Sequence, residues 1–231
     1  MRNPSVRVVG RTVLFFFIAG AFSATAADPD KRLIVFGYNT QLPDRIIENM
    51  PRYEASPFTG MVIGAELPRE ITLPNGVKSK RFGWIAWGTD IPEADVDAVA
   101  RQLAARPESE RVTEFLMRFN ITPGGVDWFD DEAWSELVTE NWRLVGRLVR
   151  DGKLRGILFD PEQYAQGGPV FDYQFASHNG KYSWPECVDQ AFQRGREAAR
   201  ALNSEIAELD ILTAFAHGWL LRGNRGIDLR M

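Results

Sequence analysis

The chain holds one cysteine, Cys187, and two histidines, His178 and His217. A single thiol excludes an intrachain disulfide, so even in an oxidising compartment the core alone must carry stability. Cys187 falls on a predicted helix face and reads as a small apolar residue rather than a nucleophile. Two histidines without H-x-H or H-E-x-x-H spacing argue against a zinc or iron site. A carboxylate-bound Ca²⁺ stays open as the metal alternative. Also missing are a G-x-G-x-x-G after the first apolar run and a G-x-x-x-x-G-K-[ST] anywhere, the usual signs of a nucleotide-binding doubly wound fold. No low-complexity run or solenoid period occurs. No cofactor is implied.

Positive charge is scarce once the amino end is set aside. Arg2, Arg7 and Arg11 precede the short apolar stretch Thr12 to Phe22, and Ala24-Thr25-Ala26 forms an A-x-A site. This is the pattern of a secretory signal peptide over residues 1–26, too short for a comfortable span, so no membrane span is expected after cleavage. Removing its three arginines from the 27 basic residues leaves 24 against 31 acidic ones, a balance of −7. A mildly acidic exported protein argues against nucleic acid and anionic membrane surfaces as partners. The expected location is the periplasm or the extracellular space. Residues 27–231 are enough for one sizeable domain.

What is present is an alternation. Apolar runs at Leu33–Phe36, Phe58–Ile63, Val112–Phe119, Gly156–Phe159 and Asp210–Ala216 read as buried strands. Between them lie helical patterns: Asp44–Met50 closed by Pro51, Glu93–Ala105, a long helix capped by Asp130 or Asp131 and ending before Gly152, and one from Ser183 to Leu202. Gly152 sits where a left-handed C-cap is expected. Residues 67–80, with Pro68, Pro74 and Asn75-Gly76, read as an irregular excursion, and Phe82–Trp87 as an additional strand or packed loop. The alternation predicts an α/β fold with parallel strands. Polar residues recur just after the apolar runs: Asn39 beside Tyr38, Glu66, Asn120, Asp160 with Glu162, and His217. In a (β/α)8 TIM-type barrel such carboxyl ends converge on one face, where the active site is built. Five strand–helix units fall short of eight, so the expectation is a partial barrel, truncated after about five units.

The chemistry centres on Asp160-Pro161-Glu162. Residues i and i+2 of a strand share a face, and Pro161 suits a strand that is ending. Two close carboxylates resist joint ionisation, so one can serve as a general acid. Trp84, Trp87, Trp128, Trp184, Tyr164 and Tyr182 suit both sugar stacking and core filling.

Gly156-Ile-Leu-Phe-Asp160-Pro-Glu162-Gln-Tyr164 resembles the strand-four D-x-E-x-Y signature of the family 18 chitinase-like glycoside hydrolases. With Pro57–Val62 and Phe115–Asn120, it is also similar to exported barrel proteins related to glycoside hydrolases. The resemblance implies a carbohydrate substrate, with Glu162 protonating the glycosidic oxygen, Asp160 stabilising the adjacent charge, and Tyr164 binding. Gly156 and Phe159 stand where that family carries further acids. An ordinary retaining pair, with carboxyls about 5–5.5 Å apart, is the alternative to a substrate-assisted route. A carbohydrate-binding or inactive partial barrel is the alternative to an enzyme.

Overall fold

A computed structural model of the chain describes residues 32–36, 41–73, 76–85, 88–120, 126–161 and 180–214. The expected leader, residues 1–26, lies outside them. In chain order the elements are β1 (Ile34–Val35), α1 (Pro43–Glu54), β2 (Gly60–Ile63), β3 (Glu66–Thr72), β4 (Lys78–Arg81), α2 (Phe82–Ile85) and α3 (Glu93–Ala104). Then come β5 (Glu114–Asn120), α4 (Asp131–Ala133), a π-helical segment (Trp134–Thr139), α5 (Glu140–Asp151), β6 (Gly156–Asp160), α6 (Trp184–Glu205) and β7 (Asp210–Thr213). Strands β1-β2-β5-β6-β7 form one parallel sheet, and β3-β4 form a separate antiparallel hairpin.

The expected α/β class and the five parallel strands are present, and the sheet is curled into a half-barrel. One ion pair shows the curl. Arg32, just before β1, reaches Asp210 at the start of β7 with Nη1 2.5 Å from Oδ2. These strands are first and fifth across the sheet, and four flat spacings would part them by about 19 Å. The register explains how they meet. Ile34 aligns through Gly60 with Glu114, whereas Leu116 aligns through Gly156 with Asp210. Arg32, Glu114 and Asp210 thus step along alternate strands by two residues each, a stagger of one residue per strand.

Each face of the sheet follows from the two-residue period. Phe115, Met117, Phe119, Met61, Ile63 and Ile157 face the helices and join the main core with Val145, Leu148 and Leu103. Val62, Leu116 and Leu158, with Ile34 packed on them, form a second small cluster inside the curl. Below it sit Arg32, Glu114, Arg155 and Asp210, with Arg155 Nε 2.9 Å from Asp210. Gly60 and Gly156 leave room for this layer. A Cβ on Gly60 would overlap the Glu114 backbone and side chain, and one on Gly156 would overlap the Asp210 backbone.

Several local features depart from the sequence reading, while the expected cap by Asp130 or Asp131 and the helix start at Ser183 are met. The excursion over 67–80 is the β3-β4 hairpin, turned by Gly76 at φ 80° with Leu73 N–H donating to Val77 O. Phe82 opens the short helix α2 and is fully buried. Helix α1 runs past Pro51 to Glu54: the proline lacks an N–H and crowds the turn before it, yet Ala55 N–H still reaches Pro51 O and the last turn closes. Asp130, not Asp131, caps α4, accepting from Ala133 N–H at 3.0 Å. Strand β1 is not covered on both faces, since Leu33 and Phe36 are nearly half exposed, as are Ile211 and Leu212 of β7. The helix α6 starts at a capping box, in which Glu186 accepts from both the N–H and the hydroxyl of Ser183.

The end of α5 is a further correction. Gly152 has helical φ, and the left-handed residue is Lys153 at φ 52°. Lys153 N–H donates to Arg150 O and Leu154 N–H to Val149 O, a Schellman closure with Lys153 at the turn. Gly152 is small for a different reason: a Cβ there would press on Leu148 O and the Leu103 side chain. Arg106, beyond α3, donates to Leu103 O at 2.7 Å, Gly152 O at 2.6 Å and Lys153 O, and its guanidinium lies over the Phe115 ring. Burial among these groups pushes its pKa below the usual arginine value.

Two outcomes follow from this architecture. Lys153→Gly relieves left-handed strain at a lysine and is expected to raise unfolding free energy by about 0.5–1 kcal/mol, read from the denaturant midpoint. Burial pushes the Asp210 carboxyl up, but hydrogen bonds from Arg155 and Arg32 outweigh it and hold the group below its ordinary value. Its stabilising contribution is therefore present at neutral pH and lost on acidification. Asp210→Asn is expected to flatten the loss of stability between about pH 5 and pH 2, measured by urea unfolding across that range.

Candidate functional site

Strands β5 and β6 end side by side, with Asn120 opposite Asp160 and Arg118 opposite Leu158. Their apolar alternates anchor them from behind. The Phe119 ring meets Trp142 of α5 edge-on at 4.9 Å, and Phe159 packs on both at 5.9 and 5.6 Å. With Phe119 and Phe159 locked toward the helices, Arg118, Asn120 and Asp160 must project to the inner face at the carboxyl end.

There they form one cluster. Arg118 Nη2 donates to Asp160 Oδ2 at 2.7 Å, and Asn120 Nδ2 donates to the same oxygen at 3.0 Å. The three residues are 6 %, 0 % and 1 % exposed for Arg118, Asn120 and Asp160. Phe36, following β1, presents its ring to the Arg118 guanidinium at 5.8 Å. A charge this deep is costly unless paired, and here carboxylate and guanidinium cancel. The shared Oδ2 also settles the Asn120 orientation, because only the amide nitrogen can donate to it. Asn120 Oδ1 then points away from Asp160 as a buried acceptor that receives no hydrogen bond.

Of the residues expected to build the site, the structure brings Asn120 and Asp160 together. Glu66 is exposed at the start of the hairpin opposite Arg81, and no described contact joins it to that pair. Asn39, Glu162, Tyr164 and His217 lie outside the described residues, as do Trp87 and His178. Arg118 is the residue that sequence reasoning missed. Its signal was there: within Phe115-Leu-Met-Arg-Phe-Asn120 it falls on the same alternate as Leu116, a charge in a strand otherwise built for burial.

The aromatic candidates divide. Trp128 is buried and Trp84 packs against the main core. Tyr182 stacks on Phe129 with centroids 3.6 Å apart and planes 6° from parallel, which ties the segment after β5 to the one before α6. Trp184, at the first position of α6, is 60 % exposed. Cys187 is buried, and burial, with Glu186 and Asp127 nearby, pushes its thiol up. It is a packing residue held away from the thiolate form. Among the described residues no group of three His, Cys, Asp or Glu is placed to hold a metal, and no helix is long and apolar enough to cross a membrane.

Comparison of the chain with family models, curated proteins and solved structures gave no match.

Removing one partner of a buried ion pair leaves an uncompensated charge. Arg118→Leu is expected to cost about 3–5 kcal/mol in unfolding free energy. Arg118→Leu with Asp160→Leu is expected to recover most of that loss. Urea midpoints of the two variants check both expectations, and an innocuous single substitution contradicts a charge-paired cluster.

Proposed function

We propose that this protein is an exported, barrel-type glycoside hydrolase that cleaves oligo- or polysaccharide by carboxylate acid/base catalysis. The observation that carries the reading is the buried Arg118–Asp160–Asn120 cluster at the carboxyl ends of adjacent parallel strands. In β/α barrels that end of the strands is where catalytic groups are set. The one-residue stagger through Arg32, Glu114 and Asp210 supports a (β/α)8 barrel, for which eight strands and a shear of eight give that same step. Under this reading the five strands belong to the barrel wall.

The roles follow from position. Glu162, two residues beyond Asp160, donates its proton to the glycosidic oxygen as the bond to the anomeric carbon breaks. Asp160, fixed by Arg118 and Asn120, places its negative charge beside the cation-like sugar that develops. Water adds to the anomeric carbon and its proton returns to a carboxylate, so hydrolysis consumes one water and leaves the acids as they began. Tyr164, Asn39, Glu66 and His217 are assigned to substrate binding under this reading. Hydrolysis of this kind needs no cofactor.

A second reading rests on the half-exposed edges at Leu33, Phe36, Ile211 and Leu212. Edge strands with half-exposed apolar side chains among the described residues suit a carbohydrate-binding barrel segment without catalysis. Release of chromophore from a panel of aryl glycosides separates the two. The enzyme reading expects turnover in the wild type and at least a hundredfold loss in Glu162→Gln, within the range of a general acid's contribution. Equal rates in both proteins remove Glu162 from the chemistry. Saccharide binding without turnover in either supports the second reading.

A further inference from the structure

We infer that the exposed apolar flank of α6 docks a second copy of this chain, helix against antiparallel helix, about a two-fold axis near Phe192. The inference is independent of the proposed reaction.

Helix α6 carries two apolar sides. Successive residues turn by about 100°, so Ala191, Ala198 and Leu202 fall together and meet the main core. Beside them Trp184, Val188, Phe192, Gly195 and Ala199 share a sector of about 80°. Trp184 is 60 % exposed and Phe192 65 %, the highest values among the large apolar residues described. A Cβ on Gly195 would meet nothing within 4 Å, so the space over the flank is open. A contiguous apolar strip on an exposed face marks an interaction surface.

The charges along its border identify the partner. Elsewhere in the helical layer Arg143, Arg147, Arg150 and Arg194 each meet at least two acids. Asp189, Arg196 and Arg200 are exposed beside the flank and form no ion pair among the described residues. The acid lies in the first half of the helix and the bases in the second. Antiparallel pairing about Phe192 lays each half on the opposite half of the other copy. Trp184 then meets the second copy's Arg200, a cation over an aromatic face. Asp189 comes within one residue of the second copy's Arg196. The two-fold axis makes each contact twice. Parallel pairing would instead set Asp189 on Asp189 and Arg196 on Arg196.

The exposed parts of Trp184 and Phe192 from two copies amount to roughly 500 Å², about a third of a standard interface of ~1,600 Å². That is the apolar centre of such a contact, with the charges at its rim. The chain's own residues 215–231 are a poorer match. They hold Arg222, Arg225 and Arg230 against Asp228 and would add positive charge beside Arg196 and Arg200.

The test is sedimentation equilibrium of the full chain, with urea midpoints to show that each variant is folded. The wild type is expected to be a dimer that dissociates on dilution. Phe192→Glu, at an exposed position, is expected to weaken the dimer at least about a hundredfold, since the axis doubles the loss. Asp189→Arg or Arg196→Asp alone is expected to weaken it about tenfold, and the two together to restore it. Phe192→Cys is expected to form a disulfide-linked dimer on mild oxidation, whereas the wild type, whose Cys187 is buried, does not. A wild type that stays monomeric at all concentrations overturns the inference. If the Phe192→Cys thiol is then also slow to react with a soluble reagent, the flank belongs to residues 215–231 instead. A dimer indifferent to Phe192→Glu is held elsewhere and overturns it as well. Failure of the charge exchange to restore association rules out the antiparallel pairing and with it the proposal.

Discussion

Parallel strands curl toward one another only as far as the side chains between them permit. Here the limit is set at their amino ends, where Arg32, Glu114 and Asp210 meet across the sheet. Two glycines, Gly60 and Gly156, make that meeting possible by leaving the neighbouring positions empty of side chain. Everything above inherits the geometry. Ile34, Val62, Leu116 and Leu158 fill the next level, and Arg118, Asp160 and Asn120 crown it. A flatter sheet would part Phe36 from Arg118 and leave the upper cluster open to water.

The two polar levels differ in energetic character. The lower one is partly exposed, with Arg32 and Arg155 about half accessible, so its pairs are screened and individually weak. The upper one is sealed. Buried ion pairs seldom improve on a well-packed apolar alternative, so Arg118 and Asp160 are hard to explain as a device for stability. Polar groups that break local rules are concentrated where a protein does its work. The same reasoning applies to Asn120, whose unused acceptor is a standing cost beside a carboxylate held in one orientation.

The strand pattern was legible because parallel strands buried on both faces leave continuous apolar runs, as in Gly156-Ile-Leu-Phe159. Apolar residues at helical spacing likewise announced α3 and α5, and Ser183 with Pro185 marked the start of α6. The hairpin β3-β4 was obscured because Glu66–Thr72 is mostly exposed and shows no apolar alternation, although Asn75-Gly76 marked its turn. At the site, Asn120 and Asp160 were visible as polar endings of apolar runs. Arg118 showed only as a charge within an apolar run, and its partner, an acid from β6 forty-two residues away in sequence, did not show at all. A contact of that range is fixed by strand register, which apolar runs do not specify. The left-handed turn at Lys153 was misplaced to Gly152 for a related reason: glycine serves there to admit Leu103 from another helix, a demand that the local sequence does not reveal.

Arg106 has a consequence of its own. One guanidinium occupies carbonyls at the ends of both α3 and α5 while resting on Phe115 of β5. Helix ends ordinarily fray alone, each exchanging its last carbonyls with water. Here neither terminus loosens without stripping a cation from the other. The last turns of two helices and the strand beneath them thereby open as a single cooperative unit.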